Sequence, residues 1–396
     1  MTVDESLLDA GRALLPDAVE LRRDIHAHPE LGLELPRTQQ AVLDRIAGLD
    51  LDVRTGRTTT SVVADLVGDA DGPTVLLRAD MDALPMPEDN DLPYRSVVPN
   101  TMHACGHDAH TAMLVGTAHL LADRRDELRG TVRFMFQPGE EGHAGARFMI
   151  DEGVTDGVDQ AFAIHGTPNL PSGLVASRPG PMLASTDEFR IVVRGRGGHA
   201  STPHFANDPI PVACEIVTAM QTWVTRRIDV FKPVVITVTK VRSGTTTNVI
   251  PETAIVSGTI RSVAAESRAA AVAGVAQVAD GIAAAHGMAA EVEMTEGYPV
   301  TVNDAGQAAG VLATAAKLLG PKGAIEMPSP VMGGEDFSFV LQAVPGAMAF
   351  LGMCPEGADW RTAAPNHSNL MLIDETAMAT GIAMYAAVAL DAMAPA

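Results

Sequence analysis

Three times in the first half of this 396-residue chain, a short apolar, β-rich run empties into residues that can hold a proton or a cation. Thr74-Val75-Leu76-Leu77-Arg78-Ala79 leads into Asp80-Met81-Asp82, Thr131-Val132-Arg133-Phe134-Met135-Phe136 into Gln137-Pro138-Gly139-Glu140-Glu141, and Ala161-Phe162-Ala163-Ile164 into His165. Helical patterns alternate with such runs: an opening helix over residues 4 to 28 carrying Leu7, Leu8, Leu14, Leu15, Val19 and Ile25, a second near 38 to 48, and a third from about 107 to 122. Alternation of this kind builds an open α/β sheet, in which ligands bind beyond the carboxyl ends of the strands.

Near residue 186 the pattern changes. A strand at Phe189-Arg190-Ile191-Val192-Val193 is followed by a helix from about 208 to 228, strands at 234 to 242 and 253 to 261, an alanine-rich helix from 265 to 285 and a strand at 289 to 295. This β-α-β-β-α-β order is that of a split-βαβ unit, and it reads as an insertion. A chain of this length exceeds a usual single core. The expected organisation is a larger domain over 1–185 and 298–396, with a smaller α+β domain over 186–297.

The densest chemistry lies in His103-Ala104-Cys105-Gly106-His107-Asp108-Ala109-His110, which runs directly into the apolar helix beginning Thr111-Ala112-Met113-Leu114-Val115. Cys105 and His107 flank a glycine, so in a turn both side chains can point at one ion. A merely His-rich surface loop would have polar, flexible flanks. Taken singly, the other pieces have bland explanations: adjacent acids such as Glu140-Glu141 decorate helix N-termini, and a lone histidine after a strand, such as His165 or His367, is more often structural. Together, a thiolate, three imidazoles and a carboxylate at strand ends point to a metal centre, with Asp80 and Asp82 placed to orient histidine ligands. A closed structural zinc site would use paired cysteines, and Cys214 and Cys354 have no such company. More ligands than one ion needs, plus a spare glutamate, fits a two-metal hydrolase in which a carboxylate moves a proton.

Composition narrows the partners. A formal net charge of −21 opposes nonspecific binding to nucleic acid or to an anionic membrane surface, so an anionic substrate must be met by local arginines. No apolar run is expected to reach the roughly 18 residues of a membrane span. The start Met1-Thr2-Val3-Asp4-Glu5 lacks the features of a signal peptide, and three scattered cysteines imply no disulfide framework. A cytoplasmic enzyme is expected.

The chain resembles the M20 metallopeptidases, and within them the amidohydrolase branch of hippurate hydrolases, N-acyl-amino-acid amidohydrolases and auxin-conjugate hydrolases. The resemblance spans Arg22-Arg23-Asp24-Ile25-His26 with His28-Pro29-Glu30-Leu31, Leu77 to Pro85, Met102 to His110, Phe136-Gln137-Pro138 into Glu140-Glu141, Gly197-Gly198-His199-Ala200, Asn248-Val249-Ile250-Pro251, Gly258-Thr259-Ile260-Arg261 and Gly334-Glu335-Asp336-Phe337. It implies an α/β metallopeptidase catalytic domain with a central mixed sheet flanked by helices, and an inserted dimerisation domain. It further implies two divalent ions, of zinc, manganese, cobalt or nickel, held by Cys105, His107, Glu141, His165 and His367, with Glu140 as general base. Asn248 and Arg261 would hold a substrate carboxylate, and His199 would cross a homodimer interface to stabilise an oxyanion in the partner's site. Two departures stand out: Gly139 replaces the usual alanine, which is expected to be harmless or to loosen the turn slightly, and Asn366-His367-Ser368-Asn369 lacks the usual doubled histidine and following proline. The expected reaction is hydrolysis of N-acyl-L-amino acids. The alternatives are a dipeptidase or aminopeptidase of the same family, a metal-independent amidase using Cys105 as nucleophile, and a noncatalytic binding protein.

Overall fold

The computed structural model describes residues 3–394. Two compact units divide the chain: the first runs to Gly180 and resumes over Val302–Ser329 and from Asp336 onward, while the second comprises Pro181–Thr301 with Pro330–Glu335. The boundaries at 185/186 and 297/298 read from the sequence thus shift outward by a few residues, and the stretch Pro330–Glu335 joins the second unit.

In the first unit, described residues form an eight-stranded mixed sheet in the order Asp52–Thr55, Val62–Val67, Arg129–Gln137, Ala70–Asp80, Gln160–Thr167, Gly346–Gly352, Val175–Ser177, Ala324–Glu326. The four central strands run parallel, with Asp80 beside Gln137 and His165 beside Phe350. Their carboxyl ends therefore lie side by side, and the polar residues that follow each apolar run gather at one edge of the sheet. Helices Val3–Ala27, His107–Ala122 and Met378–Met393 pack against one another and the sheet. Helix His107–Ala122 is buried at every position except His119 and Ala122, as expected of a helix apolar on all faces. The segment Glu375–Met393 corrects one expectation, because it is long and apolar enough to cross a membrane. Some 67% of its most apolar window is buried inside the protein, so it is packed as a core helix. Tyr385, within it, ties the helix to the sheet: its hydroxyl donates to Arg78 O (2.7 Å) and accepts from Ile164 N–H (3.0 Å).

The second unit is a four-stranded antiparallel sheet in the order Val234–Ser243, Thr253–Ser262, Ser185–Arg194, Ala289–Glu296. Helices Pro209–Arg227 and Ala265–Ala285 close its apolar core around Ile191, Ile216, Val256 and Val275. The first helix starts where its sequence says it should: Pro209 occupies the first turn, and the Asp208 carboxylate accepts from Ile210 N–H at 3.0 Å.

One charge sits in the middle of the large sheet. Arg78 is 1% exposed on the strand Ala70–Asp80. Its guanidinium donates to Gln137 Oε1 (2.9 Å), Asp80 Oδ2 (2.6 Å) and Asp336 Oδ1 (3.0 Å). Gln137 Nε2 and Ala146 N–H bring Asp336 further donors. Removing one member of a buried pair leaves the others uncompensated, at a cost of about 3–5 kcal/mol. Arg78→Leu is therefore expected to lower the stability of this unit by about that amount in denaturant unfolding; a loss below about 1 kcal/mol would show that the cluster carries little of the fold's stability.

Candidate metal centre

Cys105 Sγ lies 3.4 Å from His165 Nε2, and His367 Nε2 lies 3.2 Å from Glu141 Oε1. Ligand atoms about 2.0–2.3 Å from a tetrahedral ion are themselves separated by about 3.3–3.8 Å, so both pairs have the spacing of atoms sharing a cation. Potential ligand atoms of Cys105, His107 and His165 lie within 4.8 Å of one another, as do those of Cys105, Glu141 and His367, and those of His107, Glu140 and Glu141. Cys105 belongs to two of these groups.

Tautomers settle which imidazoles are free to ligate. A backbone carbonyl only accepts, so His107 Nδ1 donates to Asp82 O (2.8 Å) and His165 Nδ1 donates to Gly166 O (2.8 Å). In both rings Nε2 keeps its lone pair, and His107 Nε2 is buried with no hydrogen-bond partner among the described residues. Glu141 Oε1 is likewise buried without a hydrogen bond, although His367 Nε2 stands 3.2 Å away. Closeness without hydrogen-bond geometry suits two atoms aimed at a common third. His110, by contrast, is fully used: Gly166 N–H donates to its Nε2 (2.7 Å) and its Nδ1 donates to Asp80 Oδ1 (2.6 Å). It therefore positions its neighbours and has no lone pair for a metal.

Asp82 holds the ligand-bearing segments together. Its Oδ1 accepts from Glu140 N–H (2.9 Å) and its Oδ2 from Glu141 N–H (3.0 Å), while its carbonyl orients His107. The turn carrying the glutamates favours glycine. Gly139 has φ +73°, and a Cβ there would meet Leu33 Cδ2 at 2.5 Å. Glycine therefore suits this turn, and a side chain added at this φ would be strained. His367 also takes a left-handed conformation (φ +69°), fixed by its N–H donating to Ala104 O. Asn366 Nδ2 donates to Cys105 O (3.0 Å) and Gly166 O (3.2 Å), tying the loop to two other ligand segments.

Burial pushes the Cys105 thiol up to about 12, the opposite of what a free cysteine nucleophile requires. A bound cation is what would make its thiolate. Burial also opposes charge on Glu141, but His367 and His107 outweigh it and hold the carboxyl below its ordinary range. A soft sulfur, imidazoles with free Nε2 atoms and a carboxylate with an unpartnered oxygen together fit divalent ions.

Sequence reasoning missed three parts of this support. Arg78, Gln137 and Asp336 form the buried cluster described above; an arginine inside an apolar strand was the available signal. Asn366, noted as a departure, is a structural tie. Beneath the loop, Asp108 Oδ2 accepts from Arg22 Nε (2.9 Å) and pairs with His26 Nδ1 (2.8 Å), and His26 Nε2 faces Glu88 Oε1 (3.1 Å). Burial opposes a charge on Asp108, yet Arg22 and His26 hold the carboxyl well below the usual range.

The remaining residues lie in the second unit. His199 and Asn248 are neighbours: His199 pairs with Val249, and Ala200 N–H donates to Asn248 O at 3.1 Å. Arg261 is half-buried and, among the described residues, has no hydrogen bond or ion pair; burial pulls its pKa down, with Glu188 and Asp187 opposing. Arg261 pairs with Thr186, whereas Thr253 pairs with Arg194 at the other end of the same ladder, beyond which His199 and Asn248 lie. Eight residues of strand separate these rows, roughly 26 Å at about 3.3 Å per residue. Arg261 and Asn248 of one chain therefore do not converge on one small carboxylate.

Residues 76–391 match the family model described as peptidase family M20/M25/M40. The chain is 41% identical over 348 residues to an N-acetylcysteine deacetylase of Bacillus subtilis, covering 87% of this chain and 90% of that protein. It is 39% identical to thermostable carboxypeptidase 1 of Saccharolobus solfataricus, covering 98% of each. A crystal structure of a Bacillus subtilis protein described as a dinuclear metal-binding peptidase of the M20 family superposes with a TM-score of 0.83 at 35% identity, covering 96% of this chain and 99% of that one. Cys105→Ala is expected to retain fewer than two ions per chain by elemental analysis and to lose activity. Two ions with full activity would remove Cys105 from the ligand set.

Proposed function

The chain belongs to peptidase family M20/M25/M40 and is a metal-dependent hydrolase of amide bonds, and from that premise we propose that its substrates are N-acyl-L-amino acids, which it cleaves to a carboxylic acid and a free amino acid. The observation that carries this reading is Arg261: a half-buried guanidinium without an acidic partner among the described residues, in a chain of net charge −21. A planar two-donor fork of this kind suits the α-carboxylate that every N-acyl amino acid presents. The relative named as a carboxypeptidase favours a second reading within the same chemistry. A peptide's last residue is itself an N-acyl amino acid whose acyl group is the rest of the peptide, so the two readings differ in the room given to the acyl side. A dipeptidase or aminopeptidase would need an acid reserved for a substrate ammonium. A cysteine amidase is disfavoured by the raised Cys105 thiol, and a noncatalytic role by the presence of Glu140.

Cys105, His107, Glu141, His165 and His367 would hold two divalent ions, of zinc, manganese, cobalt or nickel. When bound, the ions polarise the scissile carbonyl and acidify a water molecule. Glu140, beside His107 and Glu141 with its backbone held by Asp82, takes the proton from the attacking water and delivers it to the leaving amide nitrogen. Asp82 keeps the His107 ring turned to its task, as Gly166 O does for His165. The separation of Arg261 from Asn248 and His199 supports a homodimer, or a higher assembly built on one, in which these residues come from different subunits. Each chain would then lend His199 to its partner to stabilise the oxyanion. A reducing, cytoplasmic setting accords with a cysteine serving as ligand.

The test is a hydrolysis series of acetyl, benzoyl and longer acyl amino acids, each paired with the matching amide that lacks the carboxylate, in wild type and Arg261→Ala. The variant is expected to raise KM roughly ten- to a hundredfold for the acids and far less for the amides. Equal effects on both would refute a carboxylate contact.

A further inference from the structure

The backbone around His199 is held by one neighbouring segment, through pairing with Val249 and the Ala200 N–H bond to Asn248 O, while the residue itself is exposed. Its ring is fixed by one neighbour. Nδ1 faces the backbone N–H of Ser201 at 3.1 Å and the Ser201 hydroxyl at 2.8 Å. A backbone N–H has only a proton to offer, so Nδ1 must present its lone pair, and the hydroxyl pointing at that lone pair donates as well. A neutral imidazole carries one proton; with Nδ1 committed as acceptor, the proton resides on Nε2.

We propose that Ser201 is a positioning residue that holds His199 in the tautomer protonated on Nε2, so that the ring acts as a neutral hydrogen-bond donor to the carbonyl oxygen of the amide under attack. The role of the ring rests on the assignment of His199 as oxyanion donor given above; the tautomer does not. A donor set in place before reaction needs no reorganisation as negative charge develops on that oxygen. The opposite tautomer would turn a lone pair toward the same oxygen and repel it. No proton leaves the ring in this scheme: it stays on Nε2, and Glu140 supplies the proton for the leaving nitrogen.

Ring-15N histidine spectra of the full chain test the assignment, with the His199 signals identified by their disappearance in His199→Gln. Wild type is expected to show an unprotonated Nδ1 and a proton on Nε2. Ser201→Ala, which keeps the backbone donor but loses the hydroxyl, is expected to shift the tautomer ratio toward Nδ1–H by roughly two- to tenfold. It should lower kcat by a similar factor with KM unchanged, and Ser201→Thr should restore both. A wild-type ring protonated on Nδ1, or a Ser201→Ala ring with an unchanged ratio, overturns the proposal. The expected tautomer together with full turnover in His199→Ala would leave the tautomer standing and overturn the oxyanion role.

Discussion

The geometry of the metal centre depends on one buried carboxylate. Asp82 accepts the backbone N–H groups of Glu140 and Glu141 on its two oxygens and, through its carbonyl, takes the Nδ1 proton of His107. One residue therefore sets the direction of a candidate ligand histidine and of the turn that carries both a candidate ligand and the candidate base. It does so because it lies two residues beyond Asp80, where the central strand ends beside Gln137 of the neighbouring strand. The parallel register brings Asp82 and the Glu140-Glu141 turn together, and the positive φ of Gly139 lets the chain enter that turn past Leu33.

Charge buried beneath this layer is costly unless paired, and the chain pairs it twice. Arg78 is enclosed by Asp80, Gln137 and Asp336, and Arg22 with His26 encloses Asp108, next to the candidate ligand His107. Asp80 also receives the Nδ1 proton of His110, whose other nitrogen is held by Gly166 N–H. A buried polar network specifies geometry when its members are satisfied; apart from Asp108 Oδ1, which has no hydrogen-bond partner among the described residues, these acids are held along the route from the interior to the candidate ligand residues.

The strand ends, the loop from His103 to His110, and the Glu140-Glu141 pair were legible because each is a local pattern, an apolar run followed by residues with ligand atoms. The four-stranded inserted unit was legible for the same reason, its alternation of strand and helix being written in order along the chain. What escaped is nonlocal. Which histidine of the loop is spent depends on a backbone N–H 56 residues away, and the partner that makes Arg78 tolerable lies 258 residues away. The left-handed turn at Gly139 is a backbone state that residue identity only permits. The separation of Asn248 from Arg261 follows from strand register, which no motif records. The apolar segment Glu375–Met393 shows that length and hydropathy describe a core helix as well as a spanning one.

With Arg261 at one end of a sheet and His199 with Asn248 beyond the other, the groups proposed to handle substrate cannot all serve one small molecule from a single chain. The proposed site assembled from two subunits would resolve this, and it would make the two roles separable by mutation. Glu140→Gln and His199→Ala are each expected to lower kcat by roughly 10²-fold or more while keeping the metals. The direct measurement mixes the two variants in equal amounts under conditions that exchange subunits. Half of the sites in each heterodimer then combine an intact Glu140 with an intact His199, and activity is predicted to recover to about a quarter of wild type. Verified heterodimers with no recovery would contradict the shared site and place His199 in its own subunit's chemistry or outside the reaction.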